Sequence, residues 1–125
     1  MSVPAEIAHT RYATVTTYRR DGRPVPTPVG LVADAGELFV LTQRKSGKVR
    51  RIRNNATVTV TPCDPNGRVA AGAPTVRGQA RLLDRTETAR VRRLMARRYP
   101  IARLVFGFDL LLGRRDRRIG IAIRL

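Results

Sequence analysis

Tryptophan is absent from this chain, and Phe and Tyr bring the aromatic share to only 5%. A core built without large rings must come from Val, Leu, Ile and Ala, and the 42% hydrophobic content is enough for one. Cysteine occurs once, at Cys63, which excludes an internal disulfide and fits a reducing compartment. No apolar run approaches the ~20 residues of a spanning helix. The opening MSVPAEIAHTR lacks the apolar stretch of a secretory signal. A cytoplasmic protein without a membrane span is expected. His9 is the only histidine and has no second ligand in view, so no metal site is expected. There is also no His-Asp, Cys-His or paired-carboxylate constellation that would carry acid–base or nucleophilic chemistry.

Negative charge is the other scarcity. Nine acidic residues face 25 basic ones, a formal charge of +16 on 125 residues. Such a field attracts polyanions and says nothing about fold. Only Lys45 and Lys48 are lysines, and arginine suits bidentate phosphate or carboxylate contacts where lysine acts as a point charge. GC-rich coding would also raise the arginine content, so composition alone leaves the partner open among nucleic acid, an acidic membrane surface and a small anionic molecule.

The chain reads as one domain over residues 1–125. YATVTTYRR (12–20) is rich in β-branched and aromatic residues, and Asp21-Gly22 is a strong hairpin signal. The returning strand, about 24–33, carries Pro24, Pro26 and Pro28 at alternate positions. These cannot all donate to one ladder, so part of the strand must be an edge. Ala35-Gly36 makes a second turn before ELFVLT (37–42). TVTVT (57–61) alternates as a strand stopped by Pro62, and Asp64 is suited to capping the turn that follows. Val76, Gly78, Ala80 and Leu82 share one face of another strand. Residues 85–99 have helical period, with Val91, Leu94 and Met95 on one arc, Arg90, Arg93 and Arg97 on the other, and Thr86 as N-cap. Residues 101–116 are ambiguous, and RIGIAIRL puts Ile119, Ile121, Ile123 and Leu125 on one side of a last strand. The sum is a mainly β fold: six strands in hairpin-like order with two helices, an antiparallel barrel plugged at its ends. Tyr99, Phe106 and Phe108 read as core or subunit contacts.

LTQRKSGKVRRIRNN (41–55) holds six positive charges and no negative one. At ~100° per residue, Val49 and Ile52 fix the buried side of a short helix, Lys48 and Arg51 share one flank, and Arg50 and Arg53 fall on the other. Arg44, Lys48 and Arg51, with the Ser46 hydroxyl, can converge on an anion at the helix start. There, free N–H groups and the close approach allowed by Gly47 favour one. A phosphate clamp and a solvated basic helix are both compatible with this segment.

The stretches YATVTTYRRDGRPVPTPVG, LFVLTQRKSGKVRRIRNN, VTVTPCDPNGRV and VRGQARLLD, in this order, resemble the pyridoxamine-5′-phosphate-oxidase-like split β-barrel superfamily. They are most similar to its branch of oxidoreductases that use the deazaflavin coenzyme F420. The resemblance spans about residues 11–99. It implies an FMN-binding-like split barrel, homodimeric, with two cofactor sites at the subunit interface. It also implies that Thr42, Arg44, Ser46, Gly47, Lys48 and Arg51 hold the cofactor phosphate, that Thr27, Pro28 and Val29 lie beneath the ring system, and that Cys63 lies near the barrel mouth. Hydride transfer to a small, conjugated, electron-poor acceptor is the implied chemistry, and Tyr18 is the one proton-donor candidate. Gly30 stands where many relatives carry a bulky aromatic, which implies a more open pocket. FMN in place of F420, and a carrier without turnover, are the alternatives within the scaffold. A basic nucleic-acid-binding barrel is the alternative of another class. Against it, Thr, Val and Ala occupy the β-face positions where bases would need aromatic platforms.

Overall fold

The computed structural model describes residues 3–100 and 117–125. The ambiguous 101–116 segment, with Phe106 and Phe108, lies outside them. In chain order the elements are α1 (Ala5–Ala8), β1 (Tyr12–Tyr18), β2 (Pro24–Asp34), β3 (Glu37–Gln43), α2 (Gly47–Asn54), β4 (Thr57–Cys63), β5 (Val76–Leu82), α3 (Arg85–Arg98) and β6 (Arg118–Arg124). All six strands pair antiparallel and close into a barrel in the order β1-β2-β3-β6-β5-β4.

Both predicted turns form, and for the reason their residues suggest. Gly22 takes φ +88, with Arg19 and Arg23 closing the loop through a 2.9 Å backbone bond. Ala35 (φ +51) and Gly36 (φ +79) make a two-residue connection between the paired Asp34 and Glu37. Two positive φ angles in a row give the turn the twist that neighbouring strands need.

The prolines of β2 mark a free edge. β2 runs opposite β1 along Tyr18↔Pro24 to Tyr12↔Gly30 but pairs with β3 only over Leu31–Asp34. The alternate N positions at 24, 26 and 28 therefore need no partner. The same reasoning corrects one expectation, since Pro62 does not stop β4. Pairing with β5 ends at Val60, so the last residues of β4 are bonded to β1 alone and a proline is tolerated there.

Inward residues of every strand form one cluster, among them Val15, Leu31, Leu38, Val40, Val58, Val60, Ile121 and Ile123. Each such buried chain contributes about 1.5–3 kcal/mol. Ile52 of α2 and Ile7 of α1 join this cluster. α2 crosses the barrel end where β1 finishes and β4 begins, as expected of a plug.

Two expectations about helices are corrected. There are three among the described residues, because the four-residue α1 is too short to show a period. Second, α3 does not plug an end. It packs on the outer wall through Val91 and Met95 against Val32, Phe39 and Ala122. Its N-cap is Asp84, not Thr86: the Asp84 carboxylate accepts from Glu87 N at 2.8 Å while Glu87 Oε1 accepts from Asp84 N at 3.4 Å, a capping box. β6 is thus buried on both faces, and Gly120 lets α3 approach, its N–H donating to Thr88 Oγ1 at 3.0 Å.

Gly78 is the tightest point of the barrel, since a Cβ there would sit 2.8 Å from the Arg124 carbonyl oxygen and 2.8 Å from Leu125 Cδ2. Backbone cannot retreat cheaply, so Gly78→Ala should destabilise by about 1–3 kcal/mol. Thermal unfolding checks this; a melting temperature equal to wild type would contradict the packing described.

Candidate functional site

The basic segment folds as the wheel requires. Val49 and Ile52 are buried, and Arg50 and Arg53 are exposed. The chain turns into α2 through Ser46, whose N–H donates to Gln43 O at 3.0 Å and whose Oγ accepts from Val49 N at 3.4 Å. That bond uses one of the first-turn donors. The N–H groups of Gly47 and Lys48 lie outside the helical ladder and point along the positive end of the helix.

Lys48 is more buried than a flank position suggests, with only 7% of its surface exposed. Among the described residues no carboxylate forms an ion pair with it. Burial lowers its pKa from the ordinary lysine value, and the neighbouring Arg51 charge lowers it further. Arg51 donates from Nε to the buried Thr17 Oγ1 at 2.7 Å. Its guanidinium folds back over the first turn so closely that a Cβ at Gly47 would lie 2.7 Å from Nη1. Its pKa is also lowered, first by desolvation, then by the charges of Arg19 and Arg50. α2 has no acidic residue in its first turn. A cation buried at a helix N-terminus beside a second cation is disfavoured by desolvation, dipole and like charge together. One bound anion offsets the like charge and pairs with the positive end of the helix.

The sequence set does not converge completely. Arg44 turns away from α2: its N–H donates to Arg117 O at 2.8 Å and its Nη2 to Arg118 O at 3.5 Å, and with Gln43, Lys45 and Arg117 it lines a separate 270 Å³ hollow. Thr42 pairs with Ile119 at the end of β3. Sequence reasoning missed Thr17, Arg19 and Arg20. The hairpin carries both arginines to the barrel end that α2 covers, where they line a groove of about 490 Å³ with Gly47, Arg50, Arg51 and Asn54. Arg50, assigned to the opposite flank, joins that groove. The signal was available in TTYRRDG, a basic pair at the tip of a strand, but only the register shows that it meets the helix.

Thr27, Pro28 and Val29 lie opposite Val15, Thr14 and Ala13 on the proline-marked edge. Cys63 lies opposite Tyr12, five residues along β1 from Thr17 and so about 17 Å away along the strand. It sits toward the other end of the barrel from Lys48. Tyr18 ends β1 opposite Pro24, half-buried. The expected opening at Gly30 is not there: a Cβ at this position would meet the Tyr99 ring at 3.8 Å. Tyr99 is anchored by its hydroxyl at the Arg11 (2.5 Å) and Leu31 (2.7 Å) carbonyl oxygens. Asp64 caps its turn as expected, accepting from Asn66 N and Arg68 N, both at 2.8 Å. No group of three or more His, Cys, Asp or Glu side chains suited to a metal gathers among the described residues. No helix among them is long and apolar enough to cross a membrane.

A closed six-stranded antiparallel barrel with helices packed on it matches the split-barrel architecture. A family model described as pyridoxamine 5′-phosphate oxidase matches residues 3–114, and the chain belongs to that family. Solved structures agree on the fold at low identity. The heme storage protein HutZ of Vibrio cholerae is 15% identical at a TM-score of 0.70, over 95% of this chain and 84% of that one. A structure described as an F420 reductase is 20% identical at 0.64, over 98% and 94%. An FAD-binding protein of Mesorhizobium loti is 14% identical at 0.62, over 94% and 81%. No curated protein sequence matches.

The burial of Lys48 has a measurable consequence. Between its lowered pKa and the ordinary 10.5, the unfolded chain holds more protons than the folded one, so stability rises with pH across that window. Lys48→Met keeps the aliphatic stem and removes the charge. In ligand-free protein near neutral pH it should stabilise by about 1 kcal/mol. The gain should shrink as pH rises toward 10. Denaturant melts at several pH values check both; a destabilised Lys48→Met at pH 7 would contradict the account.

Proposed function

We propose that the protein is an oxidoreductase dependent on the deazaflavin coenzyme F420, working as a homodimer in the cytoplasm. Lys48 at the start of α2, buried and with no carboxylate paired to it among the described residues, carries the reading. Its amine, the Arg51 guanidinium, the Ser46 hydroxyl and the N–H groups of Gly47 and Lys48 would hold the coenzyme's phosphate. From there Val25, opposite Thr17, leads about 13 Å along β2 to Val29. Thr27, Pro28 and Val29 would then support the ring system, with backbone groups free on the edge that β3 does not pair. Thr42 and Arg44 would brace the turn into α2, and Cys63 would lie at the far margin of the ring. When bound, the deazaflavin supplies a centre that gives a hydride to, or takes one from, a small electron-poor molecule. The chain's part is to hold and orient it.

The second basic groove favours F420 over FMN. Arg19, Arg20 and Arg50 line a groove with Gly47 and Arg51 of the proposed phosphate corner, where FMN would end and the carboxylate tail of F420 would continue. Asp21 at the tip of the same hairpin is paired with Arg23, and the ion pairs Arg81 with Glu37 and Glu87 and Arg90 with Asp34 lie elsewhere. Homodimerisation is supported by the outer wall. Along β1, Tyr12, Thr14, Thr16 and Tyr18 face outward, flanked by the β2 prolines and by Thr59 and Thr61 of β4. This wall carries no charge in a chain where 27% of residues do, as expected of an interface core.

Fluorescence titration at moderate salt tests the coenzyme. Lys48→Met should weaken F420 binding by about tenfold or more, the loss expected of one charge-assisted phosphate contact. Replacing Arg19 and Arg20 by Ala should weaken F420 more than FMN. Unchanged affinity in Lys48→Met would overturn the phosphate assignment.

Sedimentation tests the subunit contact. Thr16→Arg with Thr59→Arg puts like charges on the outer wall and should turn a dimer into a monomer without unfolding it. A dimer that survives both substitutions would place the interface elsewhere.

A further inference from the structure

A second cavity lies toward the end of β4, apart from the cationic corner. It holds about 610 Å³ between Pro62, Cys63, Asp64, the Arg68–Ala73 stretch and Glu6 of α1. That is within the size range of small-molecule sites. Its chemistry is unlike the rest of this surface. The run from Val69 to Pro74 has no charged residue. Val69, 49% exposed, is the one large hydrophobic left exposed among the described residues. The Asp64 carboxylate is committed to the backbone of the loop through Asn66 N and Arg68 N. Arg68 and Glu6 are the remaining charges, and neither forms an ion pair among the described residues.

The loop that walls this cavity reaches the strand assigned to the ring. A Cβ at Gly67 would lie 3.5 Å from the Pro28 ring, so the connection arches over β1 and rests on β2. The residue before the cavity-lining Arg68 is therefore packed on Pro28.

We propose that this cavity binds the second substrate, a flat and mostly apolar small molecule bearing one anionic or carbonyl oxygen for Arg68. The apolar wall stabilises the body of such a molecule by removing its surface from water. Arg68 orients its oxygen, and the Glu6 and Asp64 carboxylates disfavour a second negative group. Cys63 serves as a small uncharged part of the wall. The role as hydride partner rests on the coenzyme reading; the existence of the binding site does not.

The test uses anilinonaphthalene sulfonate, a flat aromatic monoanion, titrated into coenzyme-free protein at physiological salt and followed by dye fluorescence. Ala70→Trp should raise the dye's Kd about tenfold or more, because a large ring then occupies volume the ligand needs. Arg68→Ala should raise it about threefold or more through loss of the charge contact. Lys48→Met should leave it unchanged. Dye binding indifferent to both Ala70→Trp and Arg68→Ala would overturn the proposal, and so would binding lost only in Lys48→Met. Because F420 affinity is read separately in Lys48→Met, failure of the coenzyme reading and failure of this site give different results.

Discussion

A buried ammonium with no acid paired to it among the described residues organises this molecule. Lys48 occupies the first turn of α2, where the helix dipole already opposes a cation, and Arg51 adds a second charge alongside. The position is forced from the other side of the helix. Val49 and Ile52 must cover the barrel interior, and at helical spacing that burial draws Lys48 inward with them. Thr17 then anchors Arg51, and Gly47 leaves room for its guanidinium. The local arrangement is unfavourable as an empty protein surface and favourable as an anion seat, which is the usual relation between stability and function at a binding site.

The rest of the barrel serves that corner by leaving backbone unpaired where a ligand can use it. A closed sheet normally has no free edge. Here β2 joins β3 only from Leu31 onward and β4 leaves β5 after Val60, so two half-edges flank β1. Prolines at 24, 26, 28 and 62 occupy these half-edges and remove donors that would otherwise invite strand addition. The same geometry leaves the wall between them uncharged and the β4–β5 loop free to lean across onto Pro28.

Much of this was legible from residues alone. The six strands, the two turns and the helical period of α2 and α3 are written in local signals, and positive φ at Gly22, Ala35 and Gly36 follows from the turn residues themselves. The wheel also placed Lys48 and Arg51 together. What could not be read depends on register and on contacts between distant segments. Arg19 and Arg20 join the groove only because β1 ends beneath α2. Arg44 leaves the site because it meets the backbone of residues 117 and 118. Tyr99 fills the space at Gly30 from the end of a helix almost 70 residues later, and α1 is too short to carry any period. Pro62 was misread because a single strand cannot show where its neighbour stops. The resemblance supplied the family; the choice between F420 and FMN rests on the groove beyond the corner.

The most direct measurement is a crystal structure of the protein with F420 bound. The account predicts the coenzyme's phosphate within hydrogen-bonding distance of the Lys48 ammonium, the Arg51 guanidinium and the Gly47 N–H. A complex in which the phosphate lies elsewhere and the Lys48 ammonium stays buried without an anion would contradict it.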